Sequence, residues 1–427
     1  MSAPPDPELE HPNAVCAGCG CLCDDIGLRV RGPTVAGAER SCPTGREWLL
    51  ARGPLEPAAR VDGKAVPVEK ALTAAEARLR AAGASVVLGL HELTVEAIAE
   101  AVLLASTLHA PLLPWPPLPS GLLRSGHHAP ECTATLGEVR GTADLVVFWR
   151  ADPVRTHPRH LERYSGDPKL VSGGSRRVVL AAADHGGAGG TREGVHLPLP
   201  GAAHGAELDL DVIRWIRCLL EKGQVPAGSR SPTLDAATRL RDELSKSRHA
   251  HFFLGEGCCE SPALLEELQL LAAKIRPTTR ITVSALPPAG NSRGVVEALT
   301  WLTGSPGSAL RPNWLLESAA TDLVLALGAP PAALARSRLG LAAGRPRVTL
   351  GTELDAEAAV SIRIPGLDPR LDATVLRSDG IALTLCGRTG PRGAPDPAVD
   401  LLRRLTRAVS PQRAGSKTPA SLPGAKA

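Results

Sequence analysis

Four cysteines fall within the eight residues of "CAGCGCLC", Cys16 to Cys23, and a fifth, Cys42, follows in "RSCPTGREW". Cys16, Cys19 and Cys23 read C-x2-C-x3-C, with Cys42 19 residues further on. Thiolates bind soft metals. Three close together wrap one face of an iron–sulfur cubane, and a distant fourth closes it. Gly18 and Gly20 let the backbone curl around such a group and offer N–H donors to its sulfides. Cys16, Cys19, Cys23 and Cys42 are therefore the expected metal ligands of a [4Fe–4S] cluster. Cys21 lies between two of them, and local alternation turns its side chain away. Two other readings stay open: a structural zinc, although zinc modules usually pair two CxxC units, and an unoccupied remnant.

Other reactive types are scattered. His157 and His160 in "THPRH" have zinc-ligand character, but i, i+3 histidines beside arginines after a strand are more often hydrogen-bonded loop residues. No H-E-x-x-H helix is present. Asp24 and Asp25 adjoin the cysteines, and one of them reads as a turn cap rather than a base. Cys258 and Cys259 in "LGEGCCES" are adjacent and read as packed or idle thiols, and the lone Gly-x-Gly before them is a weak phosphate signal. Arg293 in "GNSRG" has turn composition when read alone.

The elements that must position these residues follow from composition and pattern. A chain of 427 residues with 43% apolar side chains can fill more than one core, and with aromatics at 2% the packing is aliphatic. A net charge of +4, scattered and without aromatic-interleaved basic runs, excludes nucleic acid as a partner. The acidic, proline-rich start "MSAPPDPELEHPNAV" has no apolar signal-peptide core. The longest apolar stretch, "VEAIAEAVLLASTLHAPLLPW", carries Glu96 and Glu100 and reads as a core helix rather than a membrane span. Ten cysteines without an export signal point to reduced thiols or a metal, and to the cytoplasm.

Eight short apolar runs alternate with amphipathic stretches: "ASVVLGL", "ADLVVFW", "RRVVLAAA", "AHFFLGEG", "TRITVSAL", "TDLVLALGA", "RPRVTLG" and "AVSIRIPG". They read as buried parallel strands with helical crossovers. The helices "LTVEAIAEAVLLASTLHA" and "SPALLEELQLLAAKIRP" show i, i+3, i+4 spacing. The expected fold is α/β: an N-terminal cysteine-rich module followed by two or more αβα units with mainly parallel sheets. The expected organisation is disorder over 1–12, the module over 13–55, a first α/β region over 56–225, a second over 248–390 and a disordered tail over 410–427. Ligands are expected at the loops after "VVFW", "FFLG" and "LALG".

The cysteine motif with Asp24-Asp25-Ile26 resembles the amino-terminal cluster domain of molybdopterin and tungstopterin oxidoreductases, and more narrowly the B subunit of formylmethanofuran dehydrogenase. "TLGEVRGTADLVVFWRADPVRTHPRHLERYS" (135–165), "GNSRGVVEALTWLTGSP" (290–306) and "LDATVLRSDGIALTL" (371–385) extend the resemblance, in order, along nearly the whole chain. It implies two pterin dinucleotides between αβα domains near a [4Fe–4S] cluster, a fold similar to domains I–III of those enzymes, and a partner carrying the last pterin-binding domain. It also implies Arg293 as an active-site arginine, where a guanidinium suits a formate-like oxyanion, with Asn291, Thr44 and Arg46 on the cofactor path.

Two departures stand out. The family's metal-ligating Cys-His-Gly-Pro motif should fall near 116–122, where this chain has "PPLPSGL". His127 and His128 lack the Cys-His order, and Cys132 lies only three residues before the "TLGE" landmark. Thr44 stands where the family places a lysine, with Arg46 a partial substitute. The resemblance is then to the bacterial formyltransferase/hydrolase version of the complex. Its B subunit is structural and redox-silent in tetrahydromethanopterin-linked one-carbon metabolism, with the molybdopterin or tungstopterin lost. Its partners are an amidohydrolase-like A subunit, a C subunit and a formyltransferase D subunit. The alternative is a catalytic tungsten or molybdenum pterin protein.

Overall fold

The computed structural model describes residues 8–115, 133–167, 169–170, 173–183, 194–201, 206–222, 231–255, 258, 261–286, 290–304, 321–328, 345–389 and 391–410. The first unit is a three-stranded antiparallel sheet of β1 (Glu8–Cys16), β2 (Cys23–Arg31) and β3 (Thr34–Glu39), closed by the short helix α1 (Pro43–Leu50). β2 alternates: Ile26, Leu28 and Val30 are buried, while Arg29 and Arg31 face solvent. Residues 8–12, expected to be disordered, belong to β1. They lack apolar periodicity but pair by backbone with β2, and the register sets Glu10 opposite Arg29. Opposite charges across a strand pair favour that register.

The chain then starts a large sheet with β4 (Ala58–Val61), β5 (Lys64–Val66), α2 (Val68–Ala81), β6 (Ser85–Leu90), α3 (Val95–Thr107) and β7 (Leu112–Trp115). It leaves to build a second sheet from α4 (Leu136–Thr142), β8 (Leu145–Trp149), the single turn α5 (Pro153–Thr156), a π-helical turn (Leu161–Ser165), β9 (Arg177–Ala183) and β10 (Val195–Leu199). The second sheet continues through α6 (Ala206–Lys222), α7 (Pro232–Ser245), β11 (His249–Leu254), α8 (Pro262–Ile275) and β12 (Arg280–Ala285). Helix α9 (Ser292–Thr303) returns the chain to the large sheet, which β13 (Leu323–Leu327), β14 (Arg347–Gly351) and β15 (Val360–Arg363) complete. The hairpin β16 (Thr374–Leu376) and β17 (Ala382–Thr384) and helix α10 (Pro397–Val409) end the described chain.

All eight apolar runs are strands, five-residue cores such as Leu145–Trp149 and Leu323–Leu327 being buried throughout. The second sheet is parallel throughout, in the order β10-β9-β8-β11-β12. The large sheet runs β5-β4-β15-β14-β13-β6-β7, antiparallel only at β4 and β5. The α/β class with more than one mainly parallel sheet is therefore the architecture observed. β7 and β10 escaped the sequence reading because Pro114 and Pro198 interrupt them. Both are edge strands, where a missing N–H is tolerated.

Residues 225–248 do not divide two sheets. Helix α7 lies inside that span, and strands from both sides of it share the second sheet. The large sheet is the discontinuous one, joining 58–115 to 323–363. The tail 411–427 lies outside the described residues.

Both sheets reverse their strand order once. The reversal lies between β8 and β11 in the second sheet and between β6 and β13 in the large one. Crevices at the carboxyl ends of such strand pairs are where open α/β sheets bind ligands. The three loops chosen from sequence leave β8, β11 and β13, whose carboxyl ends border these crevices; residues 256–257, 259–260 and 329–344 lie outside the described residues.

Candidate metal and cofactor site

Strand pairing creates the cysteine cluster. Cys16 ends β1, Cys23 begins β2, and the two are cross-strand partners. The connecting loop carries Cys19 and Cys21 and is turned by Leu22 in a left-handed conformation, φ 42°. Cys42 is the N-cap of α1: its Sγ accepts from the Gly45 N–H at 3.3 Å, with Pro43 in the first turn. Gly45 is required by proximity, because a Cβ there would lie 3.0 Å from Cys16 Sγ and 3.4 Å from Cys42 Sγ. The cap therefore brings the distant fourth thiol to the first.

Cys21 does not point away. It is buried, and its side chain hydrogen-bonds those of Cys19 and Cys23. That bond pulls Cys19 down to about 7 against the opposing effect of burial. Cys23 is lowered by the same thiol, then by the nearby Arg163 and Arg159 guanidiniums. Burial pushes Cys16 up to about 12 and also raises Cys42. Among the described residues no three His, Cys, Asp or Glu side chains are placed to hold a single metal ion. The donor set of four thiols under a glycine-rich loop, with two cations beside it, nonetheless fits an anionic iron–sulfur cluster, which spreads its thiolates wider than one ion does. Such a cluster would be held by Cys16, Cys19, Cys23 and Cys42 and would supply one-electron chemistry.

The segment after Cys23 ties the module to the second sheet. Arg159 forks onto Asp25 (Nη1–Oδ1 2.8 Å, Nη2–Oδ2 2.9 Å) and also donates to Glu162 at 2.9 Å. Arg163 pairs with Asp24 and Asp25, and its Nε donates to the Tyr164 hydroxyl at 3.1 Å. Arg377, in the β16–β17 hairpin, forks onto the buried Asp379 at 2.9 Å per bond, and Asp379 also accepts from Leu136 N–H at 2.7 Å. Burial alone would raise the Asp25 carboxyl, but Arg159 and Arg163 outweigh it and hold it low. Asp24 and Asp25 are thus arginine anchors rather than turn caps. The sequence signal was the Asp-Asp pair itself, matched by "HPRHLERYS".

His157 and His160 are hydrogen-bonded loop residues, as their setting in the sequence suggests. His160 Nδ1 lies 2.9 Å from Ser165 Oγ, its ring packs edge-on against Phe148, Phe253 and Tyr164, and His157 Nδ1 lies 2.8 Å from Thr156 Oγ1. Burial lowers His160 to about 3, so it is neutral at pH 7.

The other site residues are dispersed. Thr44 and Arg46 are exposed on the first turn of α1. Asn291 is fully buried and spent on backbone: Nδ2 donates to Leu93 O at 3.0 Å and Oδ1 accepts from Leu376 N–H at 2.9 Å. Arg293, on the first turn of α9, is ion-paired with Glu297 and lies close to Gly380 in the hairpin turn. Residues 116–122, His127, His128 and Cys132 lie outside the described residues, as does Cys259. Cys258 is a packed thiol, pushed up to about 12 by burial first and then by Asp209.

Among the described residues neither crevice shows a space on the scale of a dinucleotide. At β8/β11, Arg150 forks onto the fully buried Asp209 and also donates to Pro200 O at 2.7 Å. Gly255 allows this close approach, since a Cβ there would fall 2.1 Å from Arg150 O. At β6/β13, facing the cysteine module, the described residues enclose a cavity of about 60 Å³. Drug-sized ligands occupy about 300–1,000 Å³. The described residues do not fit a pterin dinucleotide.

No family model matches the sequence. The chain is 24% identical over 446 aligned residues, 93% of its length and 98% of the relative's, to the B subunit of tungsten-containing formylmethanofuran dehydrogenase 2 of Methanocaldococcus jannaschii. It is 31% identical over 179 residues, 37% of this chain and 38% of the relative, to the protein of the same description in Methanococcus maripaludis. Among solved structures, a chain of the formyltransferase/hydrolase complex FhcABCD from Methylorubrum extorquens, determined with methylofuran, superposes with a TM-score of 0.63 at 20% identity. The match covers 82% of this chain and 98% of that one. Along nearly its entire length, then, the chain resembles the B subunit of formylmethanofuran dehydrogenase.

Proposed function

We propose that this chain is the B subunit of a formyltransferase/hydrolase assembly in tetrahydromethanopterin-linked one-carbon metabolism, and that its role there is structural and redox-silent. The observation that carries the reading is the crevice beside the cysteine module: about 60 Å³ among the described residues, where the related enzymes would need room for a tungsten or molybdenum pterin. The "PPLPSGL" segment supports it from sequence, since prolines and leucines supply neither thiol nor imidazole to a metal. The partners are then the amidohydrolase-like A, C and formyltransferase D subunits. No described helix is long and apolar enough to cross a membrane.

The alternative, a catalytic protein partnered by a small pterin-domain chain, draws on the gathered cysteines and on the tungsten enzymes among the relatives. The two readings separate when the tagged assembly is produced in medium stripped of tungsten and molybdenum. A structural role leaves formate release from the formyl carrier unchanged. A catalytic one loses turnover and regains it when tungstate or molybdate is restored.

A further inference from the structure

The same small cavity has a chemistry of its own. It is lined by Ala17, Trp48, Arg52, Glu92, Gly290 and Thr352. Its volume admits a few waters or one anion of three or four heavy atoms. Arg52 follows the end of α1 and turns inward. Its Nε donates to Trp48 O at 3.1 Å, and its guanidinium carbon sits 4.4 Å above the Trp48 ring. Neither contact neutralises the charge. Among the described residues no carboxylate reaches ion-pair distance of Arg52; Asp368 and Glu92 act on it only through space. Asp368 is already gripped by Arg370 at 2.7 and 2.8 Å. A partly buried cation left this way is costly unless an anion joins it.

Across the cavity stands Glu92, whose Oε2 accepts from the Thr352 hydroxyl at 2.8 Å. Burial pushes its carboxyl up, Glu353 adds to the rise, and Thr352 and Arg52 oppose it. The protonated form places an O–H donor opposite the guanidinium.

We propose that this cavity is a binding site for a small monovalent oxyanion, held by the terminal nitrogens of Arg52 and hydrogen-bonded by the Glu92 carboxyl. The class covers a small carboxylate and an inorganic anion such as bicarbonate or nitrate. The proposal rests on the structural role argued above, because a pterin bound in this crevice would take the same space, and pterin analysis of the same preparation separates a failure of that reading from a failure of this one.

Calorimetric titration of the purified assembly with formate, bicarbonate and nitrate, at ionic strength held with chloride, tests it and distinguishes the organic from the inorganic source. One equivalent of at least one probe binds, and sulfate, too large and divalent, does not. Arg52→Met weakens the bound probe about tenfold or more, and Arg52→Lys weakens it less, since a single ammonium replaces the fork. With Glu92 neutral at low pH and ionised at high pH, affinity falls as pH rises through the Glu92 transition. In Glu92→Gln, which donates at every pH, that fall disappears. Binding no stronger than chloride, equal affinity in Arg52→Met, or an unchanged pH profile in Glu92→Gln each overturns the proposal. If Arg52→Met fails to fold, the Glu92→Gln profile decides.

Discussion

At the residue scale, the cysteine module is built from a few close approaches. Replacing Gly45 by Ala sets a methyl 3.0 Å from one thiol and 3.4 Å from another. We expect a loss of about 1–3 kcal/mol, read by denaturant unfolding of the assembly, together with loss of any bound iron. Cys21→Ala removes the thiol bonded to Cys19 and Cys23. Cys19 should then titrate above its present value of about 7, which pH-dependent alkylation kinetics would detect; an unaltered alkylation profile would contradict the placement of Cys21. The cysteine types and spacing were legible in the sequence, but the role of Cys21 was not. Alternation along a strand puts neighbours on opposite faces, whereas Leu22 at φ 42° breaks that alternation inside the loop.

At the element scale, the strut between the cysteine module and the second sheet carries the architecture. Arg159→Ala leaves Asp25 and Glu162 without their fork and should cost about 1–3 kcal/mol, seen as a lower Tm. The π-helical turn beside it carries a pH dependence. His160 binds its proton at about 3 in the fold and near 6.5 when unfolded. The unfolded chain therefore takes up more protons between those values, so the stability His160 contributes is complete above about 6.5 and drains away as pH falls toward 3. His160→Phe should flatten that acid limb in urea titrations at stepped pH, and an unchanged limb would contradict the assignment. Strands buried on both faces announced themselves as short apolar runs, which is why eight were read correctly. The proline-bearing edges β7 and β10 carried no such signal. The Arg–Asp fastenings left no trace beyond the Asp-Asp pair and the arginines of "HPRHLERYS", because a partner 134 residues away leaves no local periodicity.

At the scale of the whole molecule, the two crevices where α/β sheets bind ligands have taken different paths. The second sheet closes its crevice with the buried Arg150–Asp209 pair. Asp209→Asn strands the guanidinium and should destabilise by about 3–5 kcal/mol, measurable by chemical denaturation. At the large sheet's crevice the described residues leave a small space facing the cysteines. Domain organisation was the least legible feature, since a sheet assembled from residues 58–115 and 323–363 cannot be anticipated from a linker-like composition at 225–248. Family likeness supplied what local pattern could not, through an ordered series of short landmarks rather than any one motif.

The proposed structural role of this chain meets its most direct test in elemental and pterin analysis of the assembly purified through it under anoxic conditions. Tungsten, molybdenum and the fluorescent oxidation products of a pterin should all be absent at stoichiometric level, whether or not iron is present. One tungsten or molybdenum atom per chain, accompanied by pterin, would contradict it.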